Sequence, residues 1–292
     1  MARLLITADL HYNHPRSRPL ADDLIDRMNT AGGDVLLVVG DTAASDGDAL
    51  EQCLSRFRFP GPKLLVAGNH ELWAHGLDSH HLFSHSLPLR ARALGWHWLE
   101  DDPFIRDGLA IVGSIGWYDY SFAPPTLGIP RRFYENKISP GAAERLSEFA
   151  HLLEPGDDMS PSGREVVARW NDGKFVKLGR SDETFLQERL ESLQTRLTAL
   201  TGAGEVIAAV HHLPFSELLP PLRGGGQRDF AKAFLGSGRI GELLLRFPNI
   251  RRVFCGHSHF PAESRIGPIH AVNVGSGYRH KTFLEVDAST GN

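Results

Sequence analysis

Apolar runs of four or five residues alternate with longer amphipathic stretches through the first quarter of the chain. Leu4-Leu5-Ile6-Thr7-Ala8 predicts a first strand, and Leu20, Leu24, Ile25 and Met28 then fall on one face of a helix. Val35-Leu36-Leu37-Val38-Val39 is apolar throughout, the pattern of a strand covered on both faces. A short helix over residues 49–57 and the Pro60-Gly61-Pro62 break lead to a third strand, Leu64-Leu65-Val66-Ala67, which Gly68 ends. This β-α-β-α-β order predicts a layered α/β domain.

Further along, Ala110-Ile111-Val112-Gly113-Ser114-Ile115 predicts another strand. Periodicity then fades while prolines recur at 124, 125, 130, 140, 155 and 161. Residues 117–180 therefore read as an insertion over the sheet that caps a site, partly helical between 141 and 153, with Tyr134, Trp170 and Phe175 as packing residues. Leu186, Leu190, Leu193, Leu197 and Leu200 recur at steps of four and three, which predicts a helix over residues 182–200. Val206-Ile207-Ala208-Ala209-Val210 is a strand, and Gly224-Gly225-Gly226 is a flexible turn without the Gly-Lys-Ser/Thr ending of a phosphate loop. A helix over residues 229–247, interrupted near Gly236 and Gly238, precedes the strand Arg252-Val253-Phe254-Cys255. Two last strands cover residues 269–274 and 282–286, and with no repeat or linker the 292 residues read as one domain.

Composition narrows the class. A hydrophobic share of 41% and a charged share of 23% supply an ordinary core. A net charge of -4 gives no global basic field, so nucleic acid is not the favoured partner. Arg131-Arg132, Arg223 and Arg228 are local basic candidates, with solvated surface charge as their default reading. Cys53 and Cys255 cannot build a disulfide framework and suit a reducing cytosol; Cys255, ending an apolar run, reads as core. The chain enters a strand at once, and no apolar stretch nears the about 20 residues that span a bilayer, so a soluble, cytoplasmic protein is expected. His75, His80, His81 and His85 lack a repeating spacing and read as decoration on a surface helix.

The chemistry gathers where strands end. Asp9 and His11, Asp41, Asn69 and His70, His211 and His212, and His257 and His259 each follow an apolar run. Such residues belong at the carboxyl ends of strands, where α/β sheets carry their sites. Asp9 and His11, like His257 and His259, are two apart and share a face if strand geometry persists. Imidazole, carboxylate and carboxamide without thiolate suit divalent manganese, zinc or iron, and argue against a structural zinc cage. Burying so many ionisable groups without a cation would be costly.

The ordered blocks Asp9-Leu10-His11, Gly40-Asp41, Gly68-Asn69-His70-Glu71, His211-His212-Leu213-Pro214 and Gly256-His257-Ser258-His259 resemble the calcineurin-like metallophosphoesterases. The resemblance implies a four-layer αββα sandwich with two mixed β-sheets and a dinuclear metal site at the strand ends. It implies that Asp9, His11, Asp41 and His259 hold one metal, and that Asp41, Asn69, His211 and His257 hold the other, Asp41 bridging. His211 is taken over His212 because it comes directly off the strand. Manganese is the first choice for both ions, with iron or zinc as alternatives. The implied reaction is attack on phosphorus by a hydroxide bridging the metals. Asp41, Asn69 and His70 are the implied catalytic residues. Asn69 would bind metal through oxygen and turn its amide hydrogens toward phosphate, and His70 would protonate or steady the leaving oxygen; orienting a ligand is the other reading of His70. The stretch Gly40-Asp41-Thr42-Ala43-Ala44 lacks the second acidic or amide residue many relatives carry, and Glu71 stands for the commoner Asp in a supporting role.

The substrate is expected to be a small phosphodiester or nucleotide. A phosphomonoester or phosphoprotein is the alternative, and a nuclease or a scaffold that catalyses nothing comes behind. Trp117, Tyr118 and Tyr120 either stack on a base or wedge the insertion onto the core, and Arg131, Arg132 and Arg279 are candidates for phosphate. Oligomeric state leaves no signal in the sequence.

Overall fold

A computed structural model describes residues 1–222, 224 and 226–288. Arg223 and Gly225, named above, lie outside the described residues. The first sheet contains β1 (Ala2–Thr7), β2 (Val35–Val39), β3 (Lys63–Val66), β4 (Trp96–Trp98) and β11 (Leu284–Ala288). Its order is β11-β1-β2-β3-β4, with β11 antiparallel and the rest parallel. The second sheet contains β5 (Phe104–Arg106), β6 (Leu109–Ser114), β7 (Glu205–Val210), β8 (Ile250–Cys255), β9 (Ala262–Ile266) and β10 (Ile269–Asn273). Its order is β5-β6-β7-β8-β10-β9, with antiparallel strands only at its two edges.

Alternation along each strand builds the layers. Leu4, Ile6, Val35, Leu37, Leu64 and Val66 meet Ile111, Ile207, Ala209 and Phe254 between the sheets. The intervening residues Leu5, Leu36, Val38 and Leu65 face the other way and pack with helix residues Leu24, Ile25, Met28 and Leu54. On the far side Leu186, Leu193 and Leu197 join Ala110, Val112 and Val206. Two mixed sheets flanked by helices result, as the resemblance implied.

Local differences have physical causes. The first helix runs from Arg18 to Ala31, and Leu20 is 40% exposed while Ala21 takes the inward position. The second ends at Arg56, before Phe57 turns into extended backbone. The helix over Asp182–Ala199 is capped by the Ser181 side chain, which accepts from the Thr184 N–H, and buries the predicted leucine stripe. The stretch 229–247 is segmented into Gln227–Ala231, a 3₁₀ turn at Lys232–Phe234 and Gly238–Leu245. Within 141–153, only Pro140–Ala143 is α-helical and Ser147–Leu153 is 3₁₀. The insertion has a small core of its own, Phe133, Ile138, Ala142, Ala143 and Leu152. Cys53 and Cys255 are buried and free, and burial pushes both thiols up. No helix among the described residues is long and apolar enough to cross a membrane.

Glu100, just past β4, is buried where the sheets meet. Its carboxyl accepts from the Ile115 N–H, while Arg196 spans the Leu99 and Gly113 carbonyls at 2.5 Å each. Burial lifts the Glu100 carboxyl from 4.5 to about 7 against the pull of Arg196. Between those values the folded chain holds a proton that the unfolded chain releases. The Glu100 contribution to stability is therefore intact at low pH and falls by up to about 3 kcal/mol as pH rises from 4.5 through 7. Urea unfolding on either side of that window should show a shallower slope in Glu100→Gln, Glu71 with its carboxyl also near 7 supplying the remainder; an unchanged slope would assign it elsewhere.

Candidate metal centre

β1, β2 and β3 run parallel, as do β7 and β8, so their carboxyl ends form one rim. The loops beyond them are cross-tied. Asp9 N–H donates to the Gly40 carbonyl at 3.0 Å and His11 N–H to the Asp41 carbonyl at 2.8 Å. His257 N–H donates to Asp9 Oδ1 at 2.9 Å, and His211 Nδ1 lies 2.9 Å from the Val39 carbonyl, joining the two sheets.

Five residues of this rim have left-handed backbone: Asp9 at φ 55°, His11 at 44°, Asp41 at 55°, His257 at 67° and His259 at 54°. Side-chain-bearing residues adopt that region at a cost of order 1–3 kcal/mol, and such strain concentrates at functional sites. Strand geometry therefore does not persist through Asp9–His11 or His257–His259, contrary to the same-face expectation. β1 ends at Thr7 and β8 at Cys255, and turned loops aim these side chains instead.

The result is two groups that share Asp41. Asp9, His11, Asp41 and His259 offer donor atoms within 4.8 Å of one another, and so do Asp41, His211 and His257. In the first, His11 Nε2 and His259 Nε2 face each other at 2.8 Å, with His259 Nε2 3.5 Å from Asp9 Oδ1 and His11 Nε2 3.8 Å from Asp41 Oδ2. In the second, His211 Nε2 lies 3.3 Å from Asp41 Oδ1 and 3.2 Å from His257 Nδ1. The other nitrogens of these two rings face the Val39 and Phe234 carbonyls, which fixes their protons there. Two imidazole nitrogens and a carboxylate oxygen are thus turned on one point.

That arrangement fits a cation, and the orphaned atoms agree. Asp9 Oδ2 and Asn69 Oδ1 are buried without a hydrogen-bond partner. Burial opposes protonation of His211, yet Asp41 and Asp9 lift it to about 9. Burial and neighbouring imidazoles hold His11 and His257 well below the usual histidine value. His212 differs: its Nδ1 faces the Ile115 carbonyl at 2.8 Å, burial and His211 push it down to about 3, and it belongs to neither group.

Glycine permits the close approach. A Cβ on Gly68 would sit 2.1 Å from Asp41 Oδ1 and 2.4 Å from Asp41 N. Gly40, at φ 80°, would bring a Cβ within 2.3 Å of His211 Nδ1.

Residues 2–261 match the calcineurin-like phosphoesterase family. The chain is a calcineurin-like phosphoesterase. Members of this family depend on a dinuclear metal centre, and the protein is a phosphoester-hydrolysing enzyme. The phosphopantetheinyl hydrolase of Mycobacterium tuberculosis is 20% identical and superimposes with a TM-score of 0.66, over 94% of this chain and 89% of that one. A dimetal phosphatase from Danio rerio is 14% identical, with a TM-score of 0.54 over 97% and 91%. At these identities the likeness is one of fold. No curated protein sequence matches the chain.

The phosphoesterase surrounds its centre with residues of several kinds. Glu71 accepts from the N–H groups of Asp41 at 3.0 Å, Thr42 at 2.6 Å and Gly68 at 2.7 Å, clamping the β2 and β3 loops together. Burial lifts its carboxyl to about 7. His70 stacks on Trp73 at 3.6 Å between centroids, and its Nε2 is 3.3 Å from the Tyr278 hydroxyl. Tyr278 in turn stacks on His11 at 4.2 Å. Lys281 donates to the Asp9 carbonyl and is pushed down to about 8 by burial.

Asn69 is held differently from the expectation. Its Nδ2 donates to Asp172 Oδ1 at 2.9 Å, so one amide hydrogen is committed to the insertion and not to phosphate. Trp117 and Tyr118 are fully buried and Tyr120 nearly so. Trp117 Nε1 donates to Asp182 Oδ1 at 2.7 Å, the Tyr120 hydroxyl to Asp182 Oδ2, and the Tyr118 hydroxyl to Asp172 Oδ2 at 3.0 Å. The trio is a wedge and no base platform. Arg131 is engaged by Glu135 and Glu183, and Arg132 by Asp158. Arg279 is exposed. His75 pairs with Asp46 at 2.5 Å and His81 stacks on His85 at 4.8 Å, in neither metal group.

The centre opens into a cavity of about 630 Å³. Asp41, Asn69, His70, His257 and His259 line one side, and Trp170, Phe260, Arg169, Arg228 and Lys232 contribute elsewhere. Sequence patterning gave no reason to select Asp172, Trp73, Lys232, Tyr278 or Lys281, because none sits at the end of an apolar run.

Proposed function

We propose that this enzyme hydrolyses a small phosphodiester, with a nucleotide-like molecule as the favoured substrate. The cavity carries the reading. At about 630 Å³ it falls within the range that encloses a drug-sized molecule, which leaves room beyond the metal centre for organic groups on both sides of a phosphate. Arg169 and Arg228 suit an anionic substrate, Lys232 being paired with Asp229 at 3.5 Å, and Trp170, Phe260 and Tyr278 suit a planar or apolar portion.

Asp9, His11, Asp41 and His259 would hold one divalent cation, and Asp41, Asn69, His211 and His257 the second. Manganese is favoured and iron or zinc are the alternatives, since imidazole, carboxylate and carboxamide all accept these ions. Two such ions, when bound, offset charge on the phosphate oxygens and acidify a water molecule for attack. The protein's own groups do the rest. Burial opposes ionisation of Asp41, but His211 outweighs it and the carboxylate keeps its charge. Burial lowers the His70 pKa, so at neutral pH this imidazole carries a single proton. Held by Trp73 and Tyr278, it serves as a hydrogen-bond donor to the leaving oxygen. Tyr278 and Trp73 also keep bulk water from the His70 side chain, which is 9% exposed.

The reading is tested with metal-stripped enzyme reconstituted separately with manganese, zinc and iron, and given a matched phosphodiester and phosphomonoester. Metal-dependent turnover with kcat/KM at least about tenfold higher for the diester is expected. Monoester preference would overturn the diester assignment, and no turnover of either ester with two ions bound would overturn hydrolysis itself.

A further inference from the structure

Asp172 begins a one-turn helix, Asp172–Phe175, inside the insertion, and its carboxylate is fully buried. Four neutral donors converge on it. Asn69 Nδ2 at 2.9 Å and Trp73 Nε1 at 2.6 Å reach Oδ1; Trp170 Nε1 at 2.7 Å and the Tyr118 hydroxyl at 3.0 Å reach Oδ2. Asn69 and Trp73 come from the stretch after β3, and Tyr118 and Trp170 from the two ends of the insertion.

Asn69 is the informative one. The two ends of a carboxamide are nearly the same size, so what each end meets decides which way it faces. The nitrogen end is held by a carboxylate, and a carboxylate accepts only. The oxygen end is buried and unpartnered, on a residue that lines the cavity with Asp41 and His257. A flipped amide would set oxygen against the Asp172 carboxylate and turn hydrogens toward the cation.

We infer that Asp172 is a positioning residue of the metal centre: it fixes the Asn69 carboxamide with oxygen toward the second cation, so the insertion completes that site as well as walling the cavity. This rests on the two-metal reading above. Trp170, two residues before Asp172, continues the same link. Its ring stacks on Phe234 at 5.1 Å and meets the His257 ring edge-on at 5.9 Å.

The test is Mn²⁺ titration of the metal-free full-length chain, followed by calorimetry and by the electron paramagnetic resonance of the bound ion. Wild type takes up two ions. Asp172→Asn replaces the fixed acceptor with a group that also presents hydrogens, and should weaken one of the two sites about 10- to 100-fold while leaving the other as it was. Tyr118→Phe removes a donor from the same carboxylate without touching Asn69. It should lower Tm yet keep both affinities. The reversed pair, Asn69→Asp with Asp172→Asn, restores a carboxylate–carboxamide hydrogen bond through one oxygen of residue 69 and leaves the other to ligate, and should recover the weakened site.

Undiminished affinity in Asp172→Asn would overturn the inference. Equal weakening in Tyr118→Phe would do the same, by marking the effect as general loosening. If the single variant does not fold, the reversed pair decides alone: recovery of two-ion binding supports the positioning role, and one-ion binding rejects it. Fewer than two ions on wild type would instead remove the two-metal reading, a separate outcome.

Discussion

Asp41→Asn is expected to lose both cations together and to lower kcat/KM by more than about 10³-fold. Asp41 is the residue common to the two donor groups, with Oδ1 3.3 Å from His211 Nε2 and Oδ2 3.8 Å from His11 Nε2. It also accepts the His70 N–H at 2.9 Å through Oδ1, which anchors the β3 loop. Asparagine has nearly the same shape, but one of its ends is an NH₂ group that must face one set of imidazoles or the other. It also leaves the centre without the charge that lifts His211. Metal analysis of the purified variant after reconstitution checks this directly. Two ions per chain in Asp41→Asn would show that the carboxylate does not bridge.

His70→Ala should behave in the opposite way. It belongs to neither donor group, so two ions should remain while kcat falls by about 10² to 10⁴, the usual range for removing a group that assists proton transfer. The loss should grow with the pKa of the leaving alcohol, because a good leaving group departs without a donor. A series of aryl and alkyl esters measures this. Equal slowing across the series would leave His70 as an orienting residue for the ligands beside it, which the 4.4 Å approach of its ring to His11 also permits.

Much of this was legible because strands announce where they stop. The unbroken run Val35–Val39 became the buried β2, and the residue two places on is the shared carboxylate. The leucines of Asp182–Ala199 declared a buried face by spacing alone. β4, β5 and β9 were not legible. β4 and β5 have three residues each, too few for a period to register, and β9 carries Glu263 and Arg265 on an edge that water reaches. Asp172 was hidden for another reason. Its meaning lies in Asn69, 103 positions earlier, and nothing local distinguishes a buried carboxylate from a solvated one. The same distance problem left Trp117, Tyr118 and Tyr120 with two readings until their donors were seen on Asp172 and Asp182. Tyr278, 208 positions from the His70 ring it touches, and Lys281, 272 positions from the Asp9 carbonyl, are further cases.

The two-metal centre itself is tested most directly by X-ray diffraction from crystals of the manganese-reconstituted enzyme, with anomalous data collected across the manganese absorption edge. Two peaks are expected, one among Asp9, His11 and His259 and one among Asn69, His211 and His257, with Asp41 between them. A single peak, or peaks away from these side chains, would contradict the dinuclear assignment.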